Sequence, residues 1–381
     1  MLRYKMAKQK KITVLHLIDS LPREGAEMVI YDLIQQGDRE EFNIVVCALT
    51  RGGGVADMLE AIGIPVFILG RTSACDLKSF SRFIRLIKER QVDIIHTHLF
   101  SSHLWGGLAA VFFPGCVLFR TEHNMSEWKN YTHRLIDKLL SLRTDLIVAV
   151  SDAVRSSLST RCRIPLSDIR TIENGINLDR LKGGGNPVEK LKELGIPPGS
   201  ILIGCSAALT PKKGHRYLLD AAEIILAKRE NVYFLLLGDG ELREELSADI
   251  QIRGMADRVL LLGSRPDAVE IVAMLDIFVL SSIREGLSIA LLEAMALGRA
   301  VVITGVGGGV DLIRKGISGF LVPPRDGPAL AEAMERVLSD PELKKRLGVA
   351  AKEDVLAGYN IRDMVLEYAR LYRSTYENRR R

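Results

Sequence analysis

The chain is 381 residues long, too long for one ordinary hydrophobic core and a fit to two α/β domains. Hydrophobic residues make up 47% and charged residues 26%, the balance of a folded globular protein, which excludes the disordered and fibrous classes. A formal net charge of +5 is mild for a nucleic-acid binder, so no nucleic-acid partner is expected.

Residues 1–11 are basic, and the apolar run after them reads as a first strand at 12–18. No cleavage pattern follows it, so a signal peptide is not expected. A helix is expected at 27–36, a strand at 42–49, a helix at 55–62 and a strand at 65–69. The next helical stretch carries Lys78, Arg82, Arg85, Lys88 and Arg90. Strands are expected again at 94–97, 117–121 and 146–150. The longest apolar stretch, 104–119, contains Gly106, Gly107, Pro114 and Gly115 and falls short of a membrane span. It reads as a buried helix, a turn and a strand. A second basic stretch holds Lys129, Arg134, Lys138 and Arg143. Both basic stretches read as solvated helix faces. Their functional alternative is weak attraction to an anionic membrane or a phosphate-bearing acceptor, and so a peripheral membrane contact.

Fully apolar runs such as 146–150 suit parallel strands covered on both faces, and their alternation with helices implies βαβ units in a doubly wound sheet. The pattern breaks at Lys182-Gly183-Gly184-Gly185-Asn186-Pro187, where three glycines and a proline cannot sustain an element. A second alternating series has strands expected at 201–206, 233–237, 259–262, 277–280 and 300–304. The expected domains are therefore 1–181 and 186–360, with the helical segment 361–381 a candidate to complete the first. Five cysteines, Cys47, Cys75, Cys116, Cys162 and Cys205, are widely spaced with no C-x-x-C pair. That argues against a disulfide framework or a zinc site and suits a reducing, cytoplasmic setting.

Open parallel sheets bind ligands beyond the carboxyl ends of their strands. The strongest chemical signal lies at such an end: Arg284-Glu285-Gly286-Leu287-Ser288 follows an apolar strand, and Glu293 lies within the helix after it. Gly286 supplies a tight turn and Ser288 a helix cap. The helix N-terminus attracts a diphosphate. Glu285 is placed to accept hydrogen bonds from sugar hydroxyls, and Glu293 from the two hydroxyls of a ribose.

These residues resemble glycosyltransferase family 4, whose hallmark is a glutamate pair separated by seven residues, matched here by Glu285 and Glu293 with the flanking Glu-Ala-Met-Ala-x-Gly. The resemblance covers nearly the whole chain. It implies an α/β fold of the GT-B type: two facing Rossmann-like domains with parallel sheets and an interdomain cleft, the donor held mainly by the second. It also implies retention of anomeric configuration and no divalent metal or other cofactor beyond a nucleotide-sugar co-substrate. In Leu209-Thr210-Pro211-Lys212-Lys213-Gly214-His215, Lys213 takes the place of the family's phosphate-binding lysine, while Ala208 stands where an arginine is often found. Lys212, Arg216 and Arg284 are candidates to compensate. Glu24-Gly25-Ala26-Glu27 is similar to the family's Gly-Gly-Ala-Glu loop, with Gly25 close to the donor phosphate. His123 in Arg120-Thr121-Glu122-His123-Asn124 matches a histidine that faces the donor sugar. Ser151-Asp152, Asn174-Gly175-Ile176-Asn177 and the run Gly305–Asp311 resemble further landmarks. The expected catalytic residues are His123, Lys213 and Glu285. The expected donor-binding residues are Gly25, Lys213, Glu285, Gly286, Leu287, Ser288 and Glu293.

His96-Thr97-His98 alternates as metal ligands can, but no third ligand stands out, so no metal is expected and His98 is assigned to the acceptor side. The expectation is transfer of a sugar from a nucleotide sugar, UDP-linked sugars being the family's commonest donors, to a sugar or lipid-linked acceptor in cell-surface polysaccharide or glycolipid synthesis. The expected place is the cytoplasm, or peripherally at the inner face of the membrane. Two alternatives stand beside it: a nucleotide-sugar-binding protein without catalysis, motivated by Ala208, and a GT-B-fold nucleotide-sugar epimerase, against which the paired glutamates argue.

Overall fold

A computed structural model of the chain describes residues 10–73, 75–182 and 185–381. Residues 1–9 of the basic start, and Gly183 and Gly184 of the expected linker, lie outside the described residues. The chain forms two compact units, one of the residues up to Ala149 with Arg155–Ile172 and Met364–Arg381, the other of Val150–Val154 and Glu173–Asp363. The division thus falls ahead of the 182–187 glycines. Residues 173–181 side with the second unit because Asn174 donates to the Leu287 carbonyl and Arg180 pairs with Glu293.

The first unit runs β1 (Ile12–Ser20), α1 (Gly25–Gln35), β2 (Phe42–Arg51), α2 (Gly54–Ala61), β3 (Val66–Ile68), α3 (Leu77–Glu89), β4 (Ile94–His98), α4 (Phe100–Phe112), β5 (Val117–Glu122), α5 (Tyr131–Ser141), β6 (Leu146–Ala149), α6 (Asp152–Cys162) from Arg155 onward, and β7 (Ile169–Thr171). The strands make one parallel sheet in the order β3-β2-β1-β4-β5-β6-β7. Each parallel step needs a crossover, and helices supply it on both faces. On one face Phe83, Leu86 and Ile87 of α3 and Trp105, Ala109 and Ala110 of α4 cover Leu15, Leu17 and Ile95 of the sheet. On the other, Met28, Ile30 and Ile34 of α1 and Val55 and Leu59 of α2 cover Ile18, Val46 and Ala48. The 104–119 stretch is helix, turn and strand, its helix beginning earlier, at Phe100.

The second unit runs α7 (Pro187–Glu193), β8 (Ile201–Ser206), α8 (His215–Leu226), β9 (Val232–Leu237), α9 (Arg243–Ile252), β10 (Val259–Gly263), α10 (Ala268–Met274), β11 (Ile277–Leu280), α11 (Ile289–Ala296), β12 (Ala300–Thr304), α12 (Gly309–Leu312), β13 (Phe320–Val322), α13 (Gly327–Leu338), α14 (Pro341–Gly358) and the start of α15 (Ile361–Arg380). Its sheet is also parallel, in the order β10-β9-β8-β11-β12-β13. β7 and β13 were not expected, since three residues give no periodicity to read. From Met364 onward α15 belongs to the first unit, where Tyr372 bonds His96 and Arg373 pairs with Glu41.

Lys129 does not belong to a solvated helix face: its side chain is fully buried, and α5 begins two residues later. Its ammonium lies 2.7 Å from Glu122 and 2.7 Å from Asp137, both buried, and Arg120 adds contacts of 2.6 Å to Glu122 and 3.2 Å to Asp137. Two cations and two anions thus neutralise one another under β5 and α5, as buried charges must. Burial acts to raise the Glu122 carboxyl, but Lys129 and Arg120 outweigh it and hold the group well below the usual carboxylate range.

Removing one member strands the others. Lys129→Met is expected to lower the unfolding free energy by about 3–5 kcal/mol in urea titrations, and a loss under about 1 kcal/mol would show a solvated site instead. The folded Glu122 titrates below its unfolded value, so its contribution is complete above about pH 4.5 and is lost as pH falls toward 2. The urea midpoint should fall across that window, and less steeply in Glu122→Gln.

Candidate active site

In a doubly wound sheet the crevice opens where strand order reverses. In the second unit this point lies between β8 and β11, so the loops after those two strands meet there. The β8 loop carries Lys213 and the β11 loop carries Glu285, 72 residues apart in sequence, and the Lys213 ammonium donates to a Glu285 carboxylate oxygen at 2.5 Å. The Ser282 hydroxyl donates to the same oxygen at 3.1 Å. Burial acts to raise the Glu285 carboxyl, and the Lys213 charge with its hydrogen bond outweighs it, leaving the group below its ordinary value. The loops are tied together by their backbones. Ile283 N–H donates to the Lys212 carbonyl at 2.8 Å, and the Ser281 hydroxyl donates to the Lys213 carbonyl at 3.0 Å. Gly214 between Lys213 and α8 has φ +64°, and a Cβ there would run into the Ser281 carbonyl, so only glycine allows this approach.

Beyond Glu285 the chain turns into α11, with Ser288 as its N-cap accepting from Leu291 N–H at 3.3 Å. Gly286 and Leu287 are held by residues distant in sequence. Gly308 N–H donates to the Gly286 carbonyl at 2.6 Å, and the Asn174 amide donates to the Leu287 carbonyl at 3.1 Å. Gly307, at φ +61°, passes so close to the Glu285 carbonyl that no Cβ fits. Ser151 lies against Gly308, so the landmarks at Ser151, Asn174 and 305–309 gather around one loop. Glu293 sits one turn into α11, with Arg180 3.1 Å away. Arg180 was missed by the sequence reading, because no spacing rule reaches across 113 residues. Of the candidates to compensate for Ala208, Arg216 lies with its guanidinium over the Tyr217 ring, while Arg284 N–H and Ile283 N–H share the Lys212 carbonyl. His215 is buried beside Lys213, and burial with that nearby charge lowers it to about 4.

In the first unit the reversal lies between β1 and β4. Gly25 opens α1 after β1, and a Cβ added there would meet no atom within 4 Å. The histidines form a chain across the sheet. His16 Nδ1 lies 3.0 Å from His98 Nε2, and His98 Nδ1 lies 3.0 Å from His123 Nε2. Burial lowers His16 to about 3, His123 to about 4, and His98 well below its ordinary value, so the chain is neutral. His96 bonds Tyr372 at 2.6 Å and Thr121 at 2.8 Å. The third partner for the His96–His98 pair is His16, hidden in the sequence and brought in by the β1–β4 register, which sets His16 opposite His96. The ligand atoms of His16, His96 and His98 lie within 4.8 Å of one another. Five of their six ring nitrogens are already hydrogen-bonded to one another, His123, Tyr372 or Thr121.

Residues 188–354 match the family described as Glycosyl transferases group 1, and residues 23–180 match Glycosyltransferase Family 4. A UDP-Gal:alpha-D-GlcNAc-diphosphoundecaprenol alpha-1,3-galactosyltransferase of Escherichia coli is 26% identical over 95% of this chain and 97% of its own. An N-acetyl-alpha-D-glucosaminyl L-malate synthase of Bacillus anthracis is 27% identical over 78% of each chain. Among solved structures, Anabaena HepE in complex with UDP-glucose superposes with a TM-score of 0.86 at 23% identity, covering 95% of this chain and all of that one. Two parallel α/β units, the loops joined at the second sheet's switch point and these matches together place the chain in glycosyltransferase family 4, with the GT-B fold.

Proposed function

We propose that this glycosyltransferase moves a sugar from a UDP-linked donor to a sugar or lipid-linked acceptor with retention of anomeric configuration and without a metal. The observation that carries the reading is the Lys213–Glu285 pair at the strand-order reversal of the second unit, just ahead of the α11 N-terminus. In this reading Lys213 and that N-terminus neutralise the diphosphate as it leaves. Glu285, Gly286, Leu287 and Ser288 surround the donor sugar and phosphates, and Glu293 accepts from the ribose hydroxyls. Gly25 leaves room for the donor phosphate. His123 stabilises positive charge developing on the sugar ring, and His98 shapes the acceptor side. The bond from the anomeric carbon to the diphosphate oxygen breaks, the bond to the acceptor oxygen forms on the same face, and the acceptor proton passes to the leaving phosphate. No carboxylate is assigned as a nucleophile. The UDP-linked donor and lipid-linked acceptor follow the Escherichia coli relative, whose name specifies UDP-Gal and a diphosphoundecaprenol-linked sugar. A cytoplasmic place with peripheral membrane contact suits such an acceptor and five free cysteines.

Calorimetric titration with UDP, GDP and ADP in the presence of a chelator tests the donor site. UDP is expected to bind, and more weakly to Glu293→Ala. Binding of none, or binding restored only by a metal, would sink the reading. Glu285→Ala is expected to lower kcat by about a hundredfold or more while leaving the fold intact by circular dichroism. Turnover near normal would remove its role.

Lys213→Met removes the charge and hydrogen bond that oppose burial most strongly, with Lys212 and Ser282 left, so the Glu285 carboxyl should titrate higher than in the wild type. A carboxyl-carbon NMR titration of Glu285 reads this directly, and an unchanged titration would mean that the pair does not form in solution.

A further inference from the structure

Helix α5 is built inside out. Its buried side chain is Asp137, held by Lys129, while Tyr131, Leu135, Leu139 and the C-cap Leu142 are 80%, 45%, 58% and 82% exposed. At 3.6 residues per turn these four positions fall within an arc of about 80°. Amphipathic helices normally turn such a stripe to the core. α5 packs against α4, where Leu140 fills the space beside Gly107, and α4 also exposes Leu108, Val111 and Phe112. α4 in turn meets α3 through Phe112 and Phe80, whose ring centres are 6.3 Å apart.

Cations dominate the charge on this surface. α3 contributes Lys78, Arg82, Arg85 and Lys88, and α5 contributes Arg134 and Lys138. The acidic side chains of the three helices are Asp137, which is buried, and Glu89 at the last position of α3. Trp128, 43% exposed, stacks edge-on with Phe100 at the end of the stripe nearest His123. Among the described residues no helix is long and apolar enough to cross a membrane.

We infer that the outer face of α4 and α5, flanked by the basic face of α3, is an insertion surface for an anionic lipid bilayer. Its leucines enter the acyl boundary, its cations meet lipid phosphates, and Trp128 and Tyr131 sit at headgroup depth. An exposed apolar patch bordered by cations, on three helices that expose no acid but Glu89, fits a negatively charged apolar medium better than a protein partner of mixed charge. The stripe ends beside the His98–His123 end of the first sheet, which would bring a membrane-borne acceptor to that end. In this it rests on the proposed lipid-linked acceptor.

Cosedimentation of the full chain with vesicles tests it. The protein is expected to bind phosphatidylglycerol-containing vesicles at low salt and pure phosphatidylcholine much less. The combined variant Leu135→Gln, Leu139→Gln, Leu142→Gln should lower binding by at least about tenfold, with UDP affinity and thermal stability unchanged. Arg82→Gln with Arg85→Gln should weaken binding and its salt dependence. The inference fails if the wild type does not bind anionic vesicles, or if the leucine variant binds them equally. It also fails if the wild type is a dimer that the leucine variant dissociates, since the face would then meet a second copy. UDP binding without vesicle binding would leave the donor reading standing and overturn this one, and the reverse result would do the opposite.

Discussion

A parallel strand cannot be followed by a hairpin, and that constraint organises everything else here. Each strand hands its carboxyl end to a loop that must begin a crossover helix. The second sheet is apolar on both faces, so its polar chemistry falls to those loops. Where strand order reverses, two neighbouring loops part to opposite faces and leave a crevice between them. In the second unit that crevice brings the Lys213 loop against the Glu285 loop, and the glycines at 214 and 307 let backbones approach where a side chain would collide.

The first unit meets the same constraint with different polar content. Its central strands and their ends carry histidines, and burial keeps them neutral, so they bond to one another as a chain rather than repel. Neutral imidazoles each offer one donor and one acceptor, which makes such a chain self-consistent in either direction. Beside it the Arg120–Glu122–Lys129–Asp137 cluster fixes the segment just after His123 and draws the polar side of α5 inward. The outward leucines of α5 are the geometric consequence: a helix that buries its aspartate presents the opposite stripe to the outside.

Much of the fold was legible because periodicity is a local property. The strands at 201–206, 277–280 and 300–304 occupy the positions read from their apolar runs. Strands of three residues, β7 and β13, carry no period and escaped notice. Lys129 was misread because a basic residue between basic neighbours resembles a solvated face, and its partners Glu122 and Asp137 give no sign in sequence of facing inward.

The strand–loop–helix run from Arg284 to Gly298 is legible residue by residue, with its turn glycine, capping serine and glutamate spacing, since all of that chemistry is contiguous. The alternation that makes two parallel sheets was likewise settled by pattern. It takes the folded chain to show that Lys213 meets Glu285, that Arg180 meets Glu293 and that His16 completes a histidine chain. The same holds for which helix faces outward with its leucines. These depend on strand order and register, which pair residues from different βα units, and nothing in a linear spacing encodes which units become neighbours.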